Sequence, residues 1–166
     1  MYFRTLLLSG VLIVSLSLSG LATARPKDTS VEKLSRISYL VTQEGATEKP
    51  FENAHWDNYE AGIYVDIIDG TPLFLSKDKY DSGTGWPTFS HPIRAKTLEY
   101  HEDTSSWEER IEVVSQRSGA HLGHLFDDGP IQYAGVRYCM NSASLRFILK
   151  GNMKKEGYGA FLRLLR

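Results

Sequence analysis

Short runs of β-branched and aromatic residues, closed off by turn formers every few positions, constrain this chain more than any other feature. Gly62-Ile63-Tyr64-Val65-Asp66-Ile67-Ile68 stops at Asp69-Gly70-Thr71-Pro72, and Leu73-Phe74-Leu75 follows at once. Segments 94–101, 110–116 and 136–149 repeat the pattern, each bounded by Gly, Pro or Asp. Such runs read as strands separated by turns. Helical signals stand only ahead of them. Asp28-Thr29-Ser30 offers caps, Val31-Glu32-Lys33-Leu34 begins a helical stretch, and Ser38 to Gln43 ends it. From Gly45 to Glu60 the chain carries Pro50, Asn53 and Asn58 and reads as a long surface wrap. The expectation is a mostly antiparallel β protein with small helical pieces near the N-terminus.

Arg4, an apolar stretch from Leu6 to Leu21 and then Ala22-Thr23-Ala24 have the layout of a secretory signal. A membrane anchor is the competing reading. A stable span needs roughly 20 strongly apolar residues, and serines and glycines dilute this shorter run. We therefore expect a signal peptide over 1–24, a helical and wrapping segment over 25–60 and a catalytic β domain over 61–166, with 25–166 forming one domain. Cleavage would remove Arg4 and no acid, leaving 18 basic against 20 acidic side chains. The expected location is periplasmic or secreted, with no stable membrane insertion after cleavage. With 42% hydrophobic and 11% aromatic residues, a chain of 166 can fill a core. Its formal net charge of −1 offers no basic field, so no nucleic-acid partner is expected. One cysteine excludes both a disulfide scaffold and a Cys-only zinc site.

That cysteine is either an inert, buried small hydrophobe or a reactive group. In Arg137-Tyr138-Cys139-Met140-Asn141, strand alternation puts Arg137, Cys139 and Asn141 on one face and Tyr138 and Met140 on the other. A thiol on a polar face beside a cation favours the reactive reading, because a cation promotes the nucleophilic thiolate. His121-Leu122-Gly123-His124 offers a metal clamp, an acid/base pair, or two solvated loop imidazoles. A metal would need a further ligand at readable spacing, whereas acid/base work needs none. Gly83-Thr84-Gly85-Trp86-Pro87 is a glycine-rich loop without the Lys-Ser/Thr ending of a phosphate loop. Its Trp86 is either core or an apolar wall for a small group.

Taken together, Ser82-Gly83-Thr84-Gly85-Trp86-Pro87-Thr88-Phe89, the segment from His121 to Pro130 and the segment from Arg137 to Phe147 resemble the three signature blocks of the B-type methionine sulfoxide reductases. Val41-Thr42-Gln43-Glu44-Gly45, Trp56-Asp57-Asn58 and Glu156-Gly157-Tyr158-Gly159 match as well, so the likeness runs from about Tyr39 to Phe161. The resemblance implies a mainly β fold of two antiparallel sheets of the β-tent kind, with short N-terminal helices. It implies reduction of methionine-R-sulfoxide in oxidised proteins or peptides. Cys139 would be the nucleophile, with His121, His124 and Asn141 around it. Trp86 and Phe126 would bind the substrate, and Asp128 and Arg137 would organise the site electrostatically. No cofactor is implied, only an external thiol reductant such as a thioredoxin-like protein or a small thiol.

Two positions depart from the pattern. Many relatives hold a structural zinc with two Cys-x-x-Cys pairs. Here the corresponding places read Asp66-Ile67-Ile68-Asp69 and Ser115-Gln116-Arg117-Ser118, so no metal is expected. Thr84 stands where many relatives carry a resolving cysteine, which leaves sulfoxide reduction intact and removes the usual route of recycling. Rival classes are a cysteine peptidase, for which no local signature is present, and a non-catalytic module that binds oxidised or Met-rich peptides.

Overall fold

A computed structural model describes residues 31–106, 109–133 and 135–166. The segment read as a signal peptide and the cap residues Asp28, Thr29 and Ser30 lie outside the described residues. The helical stretch comes as two short pieces, in keeping with the short N-terminal helices expected. Val31–Lys33 forms a 3-10 turn, and the helix proper, α1, spans Arg36–Glu44. Ser35 sets its start, because its side chain accepts from the Ser38 N–H at 3.1 Å. Gly45 closes it in the left-handed region at φ 68°.

The strands are β1 (Gly62–Asp66), β2 (Pro72–Leu75), β3 (Lys79–Tyr80), β4 (Thr88–Phe89), β5 (Leu98–Asp103), β6 (Arg110–Ser115), β7 (His121–Phe126), β8 (Arg137–Met140) and β9 (Leu145–Leu149). They form two antiparallel sheets, one ordered β2-β1-β9 and the other β3-β4-β8-β7-β6-β5. The expected architecture of two antiparallel sheets is thus the one observed. Its details differ in three places. Segment 94–101 opens with a 3-10 turn at Ala95–Thr97, so its strand starts later and runs on to Asp103. The stretch 136–149 is two strands, not one. A 3-10 turn at Ser142–Ser144 carries the chain from the larger sheet to the smaller, with Ser144 Oγ donating to Asn141 O at 2.8 Å. The third difference is β7, which the two histidines and Gly123 disguised as a loop.

Alternation explains the layering. Tyr138, Met140, Val113 and Leu122 of the larger sheet meet Tyr64, Phe74 and Leu73 of the smaller in one buried cluster. Ile63, Val65 and Ile148 on the other face of the small sheet pack with Met153 and the C-terminal segment around Phe161 and Leu162. Every residue of β1 is therefore buried. The larger sheet has its apolar face spent on this core, which leaves its opposite face for polar side chains.

Segments 66–69 and 115–118, where no metal was expected, meet here through oxygen. The buried Asp66 carboxylate accepts from Ser118 Oγ at 2.5 Å and from the Ile68 N–H at 2.7 Å. Ser118 Oγ in turn accepts from the Ala120 N–H at 3.1 Å. Among the described residues no group of three or more His, Cys, Asp or Glu side chains could hold a metal ion. A hydrogen-bonded strut thus ties β1 to the β6–β7 turn. Removing its donor leaves a buried carboxylate short of a partner, so Ser118→Ala should lower unfolding free energy in urea by about 1–3 kcal/mol. An unchanged urea midpoint would mean that the strut contributes nothing.

Candidate functional site

Register assembles the site. Tyr80 pairs with Thr88, Thr88 with Cys139, Cys139 with His124, His124 with Glu112 and Glu112 with His101. Directly opposed residues of antiparallel strands share a face. These six polar positions therefore form one row across the sheet, on the face away from the core. Cys139 and His124 sit at its middle. Gly123 makes the approach of β7 and β8 possible: a Cβ there would lie 2.1 Å from Cys139 O, and its φ is +155°. A register shift between Val113 and Val114, opposite β7, accompanies a second effect. His121 and His124, three residues apart in a strand, lie with rings edge-on and centroids 5.3 Å apart.

Above Cys139 lies a small cleft of about 100 Å³, walled by Trp86, Phe126, His124 and Asn141, with Thr47 and Arg110 among its remaining residues. Since a water occupies about 30 Å³, the cleft takes one small group. Trp86 is presented by the glycine-rich loop and fixed by its indole N–H, which donates to Glu48 O at 3.1 Å. Arg137 grips Asp128 with two hydrogen bonds, at 2.7 and 2.9 Å, and its guanidinium lies 4.1 Å from the centre of the Phe126 ring. Asn141 is turned to the backbone: its Oδ1 accepts from the Glu48 N–H at 3.1 Å and its Nδ2 donates to Leu122 O at 3.2 Å.

The histidines are buried, which disposes of the solvated-loop reading. His124 Nε2 pairs with Asp103 Oδ2 at 2.8 Å, and burial holds its pKa down against that carboxylate. Ser105, His124 and Arg110 together hold Asp103 well below the usual carboxylate range. His121 Nδ1 pairs with Glu112 Oε1 at 2.6 Å. His121 is not part of the cleft wall and stands behind His124. Burial also pushes the Cys139 thiol up, in opposition to Arg137 and the Thr84 and Thr88 hydroxyls. Arg137 does favour the thiolate as expected, but desolvation outweighs it. Thr84 Oγ1 is 3.9 Å from Cys139 Sγ.

A family model described as SelR domain matches residues 34–149. A protein of Vibrio cholerae serotype O1 named peptide methionine sulfoxide reductase MsrA/MsrB is 50% identical over 146 residues, covering 87% of this chain and 38% of the relative. The chain belongs to the SelR-domain family. This is the family of B-type methionine sulfoxide reductases to which the three blocks pointed. The chain spans about two fifths of the length of the curated relative it matches.

Within this SelR domain, sequence reasoning missed Glu48, Asp103 and Glu112. Glu48 was assigned to a surface wrap, yet it is 7% exposed. Its carboxylate accepts from the Ser142 N–H and, at 2.9 Å, from the Ala143 N–H. Asp103 and Glu112 could have been found only through register, because each lies on a strand whose polar face adjoins a histidine.

Two measurements follow from this geometry. The rate of Cys139 alkylation by iodoacetamide should keep rising with pH beyond the ordinary thiol range near about 8.5. Arg137→Ala should move that midpoint higher still; a wild-type midpoint below neutrality contradicts the desolvated thiol. Glu48→Ala should speed hydrogen exchange at the Ser142 and Ala143 amides and cost about 2–4 kcal/mol of stability, since two buried donors lose a charged acceptor. Unchanged exchange at both amides would show that the carboxylate does not hold the turn.

Proposed function

We propose that the protein reduces methionine-R-sulfoxide, chiefly in oxidised proteins and peptides, through a sulfenic acid on Cys139 that an external thiol recycles. The observation that carries this reading is the placement of Cys139 at a small cleft walled by Trp86 and Phe126, with His124 directly across the ladder. The cleft suits a methyl-sulfinyl group: aromatic faces receive the methyl, and a chiral sulfur presents its oxygen to the histidine side in only one epimer.

Cys139 Sγ takes the oxygen as the sulfoxide sulfur gains an electron pair, so a thiol and a sulfoxide become a sulfenic acid and a thioether. The sulfoxide oxygen is a poor leaving group until protonated. The histidine pair mediates that proton movement, a contribution typically of about 10²–10⁴-fold. A thiol that rests protonated supplies the proton from within the site. Asp103 fixes one His124 nitrogen and leaves the other for exchange. Asn141 serves by holding the wall, since its amide is engaged by backbone groups of Glu48 and Leu122.

Recycling follows from the cysteine count. This chain contains one cysteine, so no disulfide forms within it. An external thiol condenses with the sulfenic acid, releasing water and forming a mixed disulfide. A second thiol then frees Cys139. The layout of residues 1–24 supports export to an oxidising compartment, where a lone thiol escapes structural pairing within the chain.

The deciding experiment is an epimer-resolved assay with a thiol reductant, followed by a single turnover without reductant and a sulfenic-acid trap. Consumption of the R epimer alone is expected, with one trapped adduct on Cys139 per methionine formed and no turnover in Cys139→Ser. Retention of full peptide binding without turnover would favour the non-catalytic module, and consumption of the S epimer would reverse the stereochemical assignment.

A further inference from the structure

His121 has an interior end and an exterior end. Its Nε2 is buried with no hydrogen-bond partner among the described residues, while Nδ1 meets Glu112 Oε1 at 2.6 Å. The other Glu112 oxygen lies 3.6 Å from His101 Nδ1, and His101 Nε2 lies 3.7 Å from Glu99. Side-chain exposure rises along this series, from 6% at His121 through 27% at Glu112 to 53% at His101. Glu112 also stands opposite both His124 and His101 in the ladder, within the row that contains Cys139.

The two carboxylates beside the histidines differ. Asp103 bonds His124, but Arg110 at 2.7 Å and Ser105 saturate it, so it remains a fixed anion. Among the described residues Glu112 has no Lys or Arg ion-pair partner, and its two oxygens meet the His121 and His101 imidazoles. On this face the remaining ionisable groups include Tyr80 on β3, Glu99 and Asp103 on β5, Arg110 on β6, His124 on β7, and Cys139 and the Asp128-paired Arg137 on β8. Helix α1, which packs on β7, keeps its charged Arg36 and Glu44 exposed. A carboxylate between two imidazoles can pass a proton in either direction, because an imidazole nitrogen can donate or accept one.

The reaction has a use for such a path. Over a full cycle one sulfoxide and two external thiols give one thioether, one disulfide and one water. Both protons of that water come from the thiols, and they must reach an oxygen held in a desolvated cleft. We propose that Glu112 and His101 form a proton relay between solvent and His121, whose ring lies edge-on to the cleft-lining His124 with centroids 5.3 Å apart. The proposal rests on the reductase reading of the cleft. Neither residue touches the reacting atoms, so both are positioning residues whose effect appears in turnover and its pH dependence.

The test uses the full chain with methionine-R-sulfoxide and dithiothreitol. Glu112→Gln keeps an acceptor for His121 but cannot carry a proton. It should lower kcat by about 10²-fold, leave KM within twofold and alter the pH profile, and Glu112→Asp should restore most of the rate. His101→Gln, at the surface, should lose several-fold in kcat and recover on addition of free imidazole. A Glu112→Gln enzyme with wild-type kcat and pH profile overturns the relay. So does a His101→Gln enzyme that keeps full activity or ignores imidazole, and this second variant decides the matter if the first does not fold. Absence of turnover in the wild-type chain would instead sink the reductase reading itself.

Discussion

A single buried carboxylate on an irregular segment holds the site together. Glu48 accepts the Ser142 and Ala143 amides through its side chain, takes the Trp86 indole N–H on its carbonyl, and gives its own N–H to Asn141. It thereby joins the wrap, the glycine-rich loop and the turn that follows the cysteine strand. Desolvation opposes its ionisation and raises its pKa, while the two amide donors work against that rise. Burying a carboxylate is tolerable only where such donors replace water. Ser142 and Ala143 can supply them because the chain leaves one sheet for the other there, and their N–H groups belong to no strand. The change of sheet and the clamp are two aspects of one arrangement.

The wrap is tied down elsewhere too. Gly85 O accepts from the Phe51 N–H at 2.8 Å and from Asn53 Nδ2 at 2.8 Å. A Cβ on Gly85, whose φ is +84°, would lie 2.7 Å from Phe51 N. Lys79 reaches over to Trp56 O at 2.8 Å. Trp86 therefore stands between two anchored segments and needs no regular element of its own. The floor of the cleft is sheet and its walls are loop. Register places the thiol, and hydrogen bonds from irregular backbone place the groups that surround it.

How much of this was legible in the sequence follows from the range of each interaction. The alternation around Cys139 was local, and the structure keeps Tyr138 and Met140 in the core as that pattern required. The cluster of Cys139, His124, Trp86, Phe126 and Asn141 was carried by the signature blocks. Strand β7 was hidden because His and Gly are weak strand formers and its identity comes from pairing on both sides. The break within 136–149 was hidden because Asn141-Ser142-Ala143-Ser144 is held as a turn by Glu48, nearly a hundred residues upstream. Asp103 and Glu112 face the histidines only by cross-strand register, which no single segment records.

The thiol's electrostatics show why the polar face alone was a poor guide to its state. Arg137 does favour the thiolate, but Asp128 occupies two of the guanidinium's hydrogen-bonding positions and dilutes its charge. Burial then prevails, and Cys139 rests with its proton. Such a thiol is slow toward adventitious oxidants, which attack thiolates. It remains available for a substrate that brings its own proton acceptor. On the proposed reading a sulfoxide oxygen is such an acceptor, received in the cleft that Cys139 and His124 line. On that reading, attack and proton transfer proceed together, with no separate thiolate to stabilise in a desolvated site. The desolvation that pushes the thiol's pKa up would then make its activation depend on the substrate.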